Sequence, residues 1–332
     1  MAKKWFKRGG QHLRLFSKRR KSAGFTLIEL LVAMVIASII TSVLLFLVVQ
    51  LLQTSQRESA RSDTQREMQM ALDYIGRDLR EAVYVYDGPG LLSKATYLPA
   101  ALKEGTNLPV LAFWRVDPLP PKVDKICTDN AAVYTTPNAA SIAAIGIIPC
   151  VSRRMYTLVV YSLNWDAGSP WSGKARIKRY QLPQYTYGAT TNAATPGWLF
   201  PAGGGVSFMS WPLDAKGVDT RTNQTPPPDT QVLVDFVDKQ GLSVTATDAV
   251  CPAVPTTDPV MPGYILTPSS ATNRGFYVCV KGAESNGNLN QEVFISLQGN
   301  AAGRPGLPID KSNVPISMQT RVMTRGSLDK RI

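Results

Sequence analysis

The 332-residue chain has a single histidine, His12, and it lies in a basic N-terminal stretch. Without an imidazole elsewhere, Ser-His-Asp and Cys-His nucleophilic machinery and H-E-x-x-H zinc sites are excluded from residues 25–332. Carboxylate-pair chemistry needs no histidine, but no spacing of acids singles out such a pair. Cysteine is sparse too: four residues and no C-x-x-C. There is no Gly-rich phosphate loop and no calcium loop of EF-hand spacing, so neither a cofactor nor a metal is expected. The expectation is a protein that is not an enzyme.

Acidic residues are missing from positions 1–24, which carry Lys3, Lys4, Lys7, Arg8, Arg14, Lys18, Arg19, Arg20 and Lys21. Of the 36 Lys and Arg in the chain, these nine leave 27 against 24 Asp and Glu, a net of +3 in place of the formal +12. A body so close to neutral does not read as a nucleic-acid binder by charge.

The next 28 residues, 25–52, read FTLIELLVAMVIASIITSVLLFLVVQLL, with Glu29 as their one ionisable group. A bilayer core takes about 20 apolar residues at 1.5 Å each, and a secretory h-region only about 7–15. The run is therefore long enough to span and too long for an ordinary signal peptide. The basic flank stays cytoplasmic, and everything after residue 52 is exported. An acid at the bilayer centre costs about 2.5–3.5 kcal/mol, so Glu29 calls for a function.

No proline interrupts residues 25–88, and Gly76 is the only glycine inside 25–87. After a polar stretch from Gln53 to Glu67, Met68, Leu72, Ile75, Leu79 and Val83 recur at helical spacing, an apolar stripe on one face. The spacing predicts one helix of about 60 residues, about 90 Å long, stopped by Asp87-Gly88-Pro89-Gly90. On the same helix Arg77, Asp78 and Arg80 read as a solvated face.

From residue 88 the pattern changes to short β-prone runs between Pro-, Gly-, Thr- and Asn-rich loops. Strands are expected at Val110–Val116, Met155–Leu163, Ala175–Leu182, Gln231–Asp238, Gly275–Val280, Glu292–Gln298 and Ile316–Met323. Long loops fall at 117–154, 183–230 and 241–274. Cys127, Cys150, Cys251 and Cys279 all lie in this exported part, an oxidising compartment where an even count favours two structural disulfides. Three connectivities are open; Cys127–Cys150 with Cys251–Cys279 is favoured, each closing a proline-bearing loop. Aromatic residues crowd Tyr156–Trp211, more in the manner of a core than of exposed binding anchors. Alternation puts Lys174, Arg176, Lys178 and Tyr180 on one strand face, a strip able to touch DNA or acidic polysaccharide, although Arg179 spoils the alternation and solvated side chains fit better.

The segment Lys21-Ser22-Ala23-Gly24-Phe25-Thr26-Leu27-Ile28-Glu29 closely resembles the processing site of type IV prepilins and type II secretion pseudopilins. The resemblance implies a membrane peptidase that cuts between Gly24 and Phe25 and methylates the new N-terminus at Phe25. Glu29 then becomes the fifth mature residue. Its carboxylate can pair with the Phe25 amine of an adjacent subunit, offsetting the desolvation of both charges. Head-to-tail contacts of that kind do not close, and they build helical filaments.

The implied fold is α+β, the pilin lollipop. Its parts are a leader at 1–24, a long helix at 25–87 (membrane or filament core to 52, amphipathic beyond) and an exported β-rich head at 88–332. The run LDYIGRDLREA at Leu72–Ala82 and the closing strand with its polar tail resemble the PilW/GspJ class of minor pilins and pseudopilins. The first 87 residues also look like the hormogonium polysaccharide secretion pseudopilins of the HpsC type. Where many major pilins carry a helix-loosening proline and glycine, this chain has Phe46 and Ser38, which suits a minor subunit. The resemblance implies as partners a prepilin peptidase, other pilins or pseudopilins, the inner-membrane assembly platform and membrane lipid. The place it implies is the inner membrane by a single span, then a pilus or pseudopilus. An alternative makes the head a filament-tip adhesin or a receptor for polysaccharide or DNA.

Overall fold

A computed structural model describes residues 24–136, 138–166, 168, 170–221, 225–239, 251–252, 263–269, 275–281, 291–305, 307 and 315–324. The basic leader at 1–23 and most of the 241–274 loop lie outside the described residues. Contacts divide the chain into two units, Met1–Thr54 and Ser55–Ile332.

Helix α1 runs over Leu27–Arg80, 54 residues without proline. In the first unit its large apolar side chains, from Leu27 to Leu52, are all exposed, and its hydropathy and length suffice to cross a membrane. In the second unit the same helix buries Ala60, Thr64, Met68, Ala71, Leu72, Ile75 and Leu79. Four of the five stripe residues expected from spacing thus face the core. Each fully buried Leu, Ile or Met contributes roughly 1.5–3 kcal/mol.

The helix stops seven residues before the expected turn. Glu81 forms a turn, its N–H donating to Asp78 O at 3.2 Å, and Ala82–Val85 form strand β1, which pairs with β2 (Asn107–Pro118). β-branched and aromatic residues at 83–85 favour a strand once a partner is present. A second partner comes from Gln291, whose carboxamide accepts from Val85 N at 2.7 Å and donates to Val85 O at 2.7 Å. Asp87 does not end α1. It caps the next helix, α2 (Gly88–Ala95), accepting from Gly90 N at 2.7 Å.

Among the described residues the head is one antiparallel sheet of nine strands: β1, β2 (Asn107–Pro118), β3 (Arg154–Asn164), β4 (Ala175–Pro183), β5 (Thr230–Val237), β6 (Ile265–Thr267), β7 (Phe276–Lys281), β8 (Glu292–Asn300) and β9 (Pro315–Met323). Their order is β1-β2-β3-β4-β5-β8-β7-β6, with β9 beside β8. All seven expected strands are present within three residues at either end; β1 and β6 are additional. The long helix followed by an antiparallel head makes the chain α+β, as the resemblance implied.

One face of the sheet packs on α1 through Phe113, Val159, Ile177, Val237, Val278, Ile295 and others. The helix passes so close to β8 that a Cβ on Gly299 would lie 2.8 Å from Met68 Cγ and 3.0 Å from Thr64 Cγ2, so only glycine fits there. The other face carries the aromatic cluster of Tyr86, Trp114, Tyr180, Trp198 and Trp211, covered by α2 and the 183–230 loop. Those aromatics are core, as composition suggested.

The 117–154 connection holds α3's successors, α4 (Pro121–Asp129) and α5 (Ala139–Ile145), where α3 is the short turn Ala100–Lys103. Cys127–Cys150 closes this excursion over its own small core of Leu119, Val123, Ile145 and Ile148. Cys251–Cys279 ties the chain onto β7.

Candidate functional site

Three groups of residues were candidates: the segment at Gly24–Glu29, the polar residues late in α1, and the basic strip on β4. Gly24, Phe25 and Thr26 precede the helix, and all are exposed. Thr26 caps α1: its hydroxyl accepts from Glu29 N at 3.3 Å, and its carbonyl from Glu29 N at 3.1 Å and Leu30 N at 3.2 Å. Thr26-Leu27-Ile28-Glu29 thus has the T-x-x-E spacing of a helix start, with the acid in the first turn where the helix dipole favours negative charge. Gly24 differs from Gly299 in kind. A Cβ there would meet nothing within 4 Å, so packing within the chain does not demand the glycine.

Late in α1 the structure overturns an expectation. Asp78 is buried, not solvated. Its Oδ1 accepts from Arg115 Nη1 at 2.7 Å, and its Oδ2 accepts from Tyr161 Oη at 2.6 Å and from Arg179 Nε at 2.9 Å. Arg179 also lies 5.5 Å from the ring centre of Tyr74. Burial, reinforced by Asp78, pushes the Tyr161 phenol far above its ordinary pKa. Three donors from β2, β3 and β4 meet one carboxylate on the helix, which fixes the helix against the sheet. The signal was in the spacing: position 78 lies between Ile75 and Leu79 on the inward face.

The basic strip is also corrected. Arg176 is buried, donating from Nη2 to Asp166 O at 2.7 Å, with its Nε 3.6 Å from Asp235 Oδ1. Lys178 donates to Asn107 Oδ1 at 3.2 Å, and Tyr180 belongs to the aromatic core. These groups are committed inside the head and do not form an open polyanion surface. Clefts open on the head. One of about 530 Å³ lies between Met70, Tyr74 and Trp171, and one of about 590 Å³ between Pro118–Pro121, Tyr185, Tyr187 and Asp229. Among the described residues no group of three or more His, Cys, Asp or Glu is placed to hold a metal.

Residues 19–45 match the prokaryotic N-terminal methylation motif. No curated protein and no solved structure matches the chain. The matched residues bracket the Gly24–Glu29 segment and the first five turns of α1. Motif, exposed apolar helix and β-rich head together support a type IV pilin-like protein, a pilin or pseudopilin processed by prepilin peptidase and anchored by one N-terminal helix.

Proposed function

We propose that the chain is a minor pilin or pseudopilin. It is cut between Gly24 and Phe25, N-methylated at Phe25, and joined to its filament through Glu29. The observation that carries this is the methylation motif over residues 19–45. The proposed cut falls two residues before a capped helix whose large apolar side chains from Leu27 to Leu52 are exposed. Gly24 fits the same reading: among the described residues nothing stands within 4 Å of a Cβ there, so packing does not account for the glycine, whereas a peptidase gripping the segment would. The apolar half of α1 then serves twice, as a membrane span before assembly and as a packing surface among other copies afterwards. Glu29 and the freed amine are the two charges in that apolar medium, and pairing between subunits sets the register.

Membership of the PilW/GspJ class is part of this proposal and rests on the resemblance of Leu72–Ala82, the block that contains the helix-to-sheet anchor Asp78. Service in motility or polysaccharide secretion remains part of this proposal. The test is mass and assembly. Chain extracted from cells with an active prepilin peptidase should lack residues 1–24 and carry one methyl group on Phe25. Glu29→Val should be processed equally well yet fail to enter filaments; its normal incorporation would refute the ion-pair register.

A further inference from the structure

Where β2 begins and β3 ends, a compact polar cluster sits apart from the processing segment and from the Asp78 anchor. Asn107 opens β2, and Asn164 closes β3 directly opposite it. Lys178 lies on β4, two residues along from the Arg176 that pairs with Asn164, and therefore on the same face. Lys178 Nζ is 3.2 Å from Asn107 Oδ1. Asn164 Nδ2 donates to that same oxygen at 2.9 Å and to Asp166 Oδ2 at 2.8 Å. The Thr106 hydroxyl donates to the other oxygen of Asp166. Asn164 is fully buried, while Asn107 and Lys178 are half-buried.

We propose that Lys178 and Asn107 join in an intramolecular isopeptide bond that passes over β3 and ties β2 to β4. The amine is the nucleophile and the Asn107 carboxamide the acyl donor. The Nζ lone pair adds to Cγ of Asn107, forming the N–C bond and moving the carbonyl electron pair onto Oδ1. That oxygen already receives the Asn164 N–H, which stabilises the developing charge as an oxyanion donor does. Collapse breaks Cγ–Nδ2. One proton lost by Nζ is taken up, through solvent at this half-buried site, by the departing nitrogen, which leaves as ammonia, while Asp166 holds Asn164 in place through Oδ2. Amine and primary amide become secondary amide and ammonia, with no oxidant, metal or co-substrate. Burial pushes the Lys178 ammonium below its ordinary pKa, with Asp166 opposing and Arg176 adding to the effect, and this raises the share of neutral nucleophile. The reaction also removes a half-buried charge from the sheet.

Intact mass spectrometry of the full-length chain, with disulfides reduced and blocked, reads the step directly. Wild type should weigh about 17 Da less than its sequence requires, the mass of one ammonia, and digestion should give a branched peptide containing Asn107 and Lys178. Lys178→Arg and Asn107→Ala should each restore the full mass, and Asp166→Ala should give a mixture of the two. Folded wild type at full mass with no branched peptide overturns the proposal. So does a deficit that survives in Lys178→Arg, because the ammonia would then have left another site. The readout is the same whether or not the leader has been removed, so it stands or falls apart from the proposed processing.

Discussion

Tyr161 Oη donates to Asp78 Oδ2 at 2.6 Å across 83 residues of sequence, joining the centre of β3 to the last turns of α1. Arg115 and Arg179 complete the contact from the strands on either side. Four polar groups are thereby removed from water at the point where helix and sheet must hold one register. Removing the carboxylate leaves the buried Arg179 guanidinium without its ion-pair partner and takes one carboxylate from Arg115, which keeps Asp117. Asp78→Ala should therefore destabilise the folded head by about 3–5 kcal/mol. Asp78→Asn keeps an acceptor and should cost less. Urea unfolding of the detergent-solubilised chain, followed by tryptophan fluorescence, measures both.

Gln291 does for β1 what Asp78 does for the helix. Its carboxamide satisfies Val85 N and Val85 O, standing in for a neighbouring strand at the start of β8. Gln291→Leu fills similar space but leaves a buried donor and a buried acceptor unmet, each worth about 1–3 kcal/mol. Gln291→Glu retains the acceptor alone and should fall between wild type and Gln291→Leu. Amide exchange at Val85 should quicken in Gln291→Leu and much less in Gln291→Glu, which keeps the acceptor for Val85 N.

Much of this was legible from residues 25–80 alone. A spacing of three and four places Met68, Leu72, Ile75 and Leu79 on one face whatever they pack against, and the unbroken apolar run announces itself by length. The end of α1 was not legible, because Ala82–Val85 become a strand only through β2 and through Gln291, some 206 residues away. Asp87-Gly88-Pro89 carries the same signal whether it stops one helix or caps another. The two disulfides followed from compartment and loop spacing. The role of Asp78 escaped because its charge pointed to solvent, and its three donors, two of them cations, lie on three different strands. Arg176 and Lys178 misled for the matching reason: alternation gives a face, but not what already covers it.

Glycine separates the two kinds of constraint. Gly299→Ala drives a Cβ to 2.8 Å from Met68 Cγ, and the long Met68 side chain can give only part of the way. The expected cost is about 1–3 kcal/mol of overpacking, visible as a lower unfolding midpoint. A Cβ on Gly24 meets no atom within 4 Å among the described residues, so Gly24→Val should leave that midpoint unchanged. Its effect should appear in processing instead, as accumulation of chain that retains residues 1–24. A fall in stability for Gly24→Val would show that the fold, not the peptidase, requires this glycine.

Alkaline pH should weaken the head, and Tyr161 should supply part of the slope. Burial raises the phenol pKa of Tyr84, Tyr86, Tyr161, Tyr180 and Tyr185, the last to about 12. Below pH about 10 both folded and unfolded chains keep these protons, and stability does not vary on their account. Above it the unfolded chain releases protons that the folded chain retains, so stability falls as pH rises. Lys94, and Lys178 wherever it remains a free amine, act in the opposite sense: burial lowers their pKa values, so the unfolded chain holds those protons more tightly and rising pH favours the fold. The five phenols outweigh these two amines. Urea midpoints measured from pH 8 to 11 should be flat at first and then descend. Tyr161→Phe loses the bond to Asp78 and should start lower at pH 8, by about 1–3 kcal/mol, yet descend less steeply above pH 10 because one titrating group is gone. Parallel curves for wild type and Tyr161→Phe would mean that the phenol ionises as freely in the folded head as in the unfolded chain, and that the contact with Asp78 does not hold its proton.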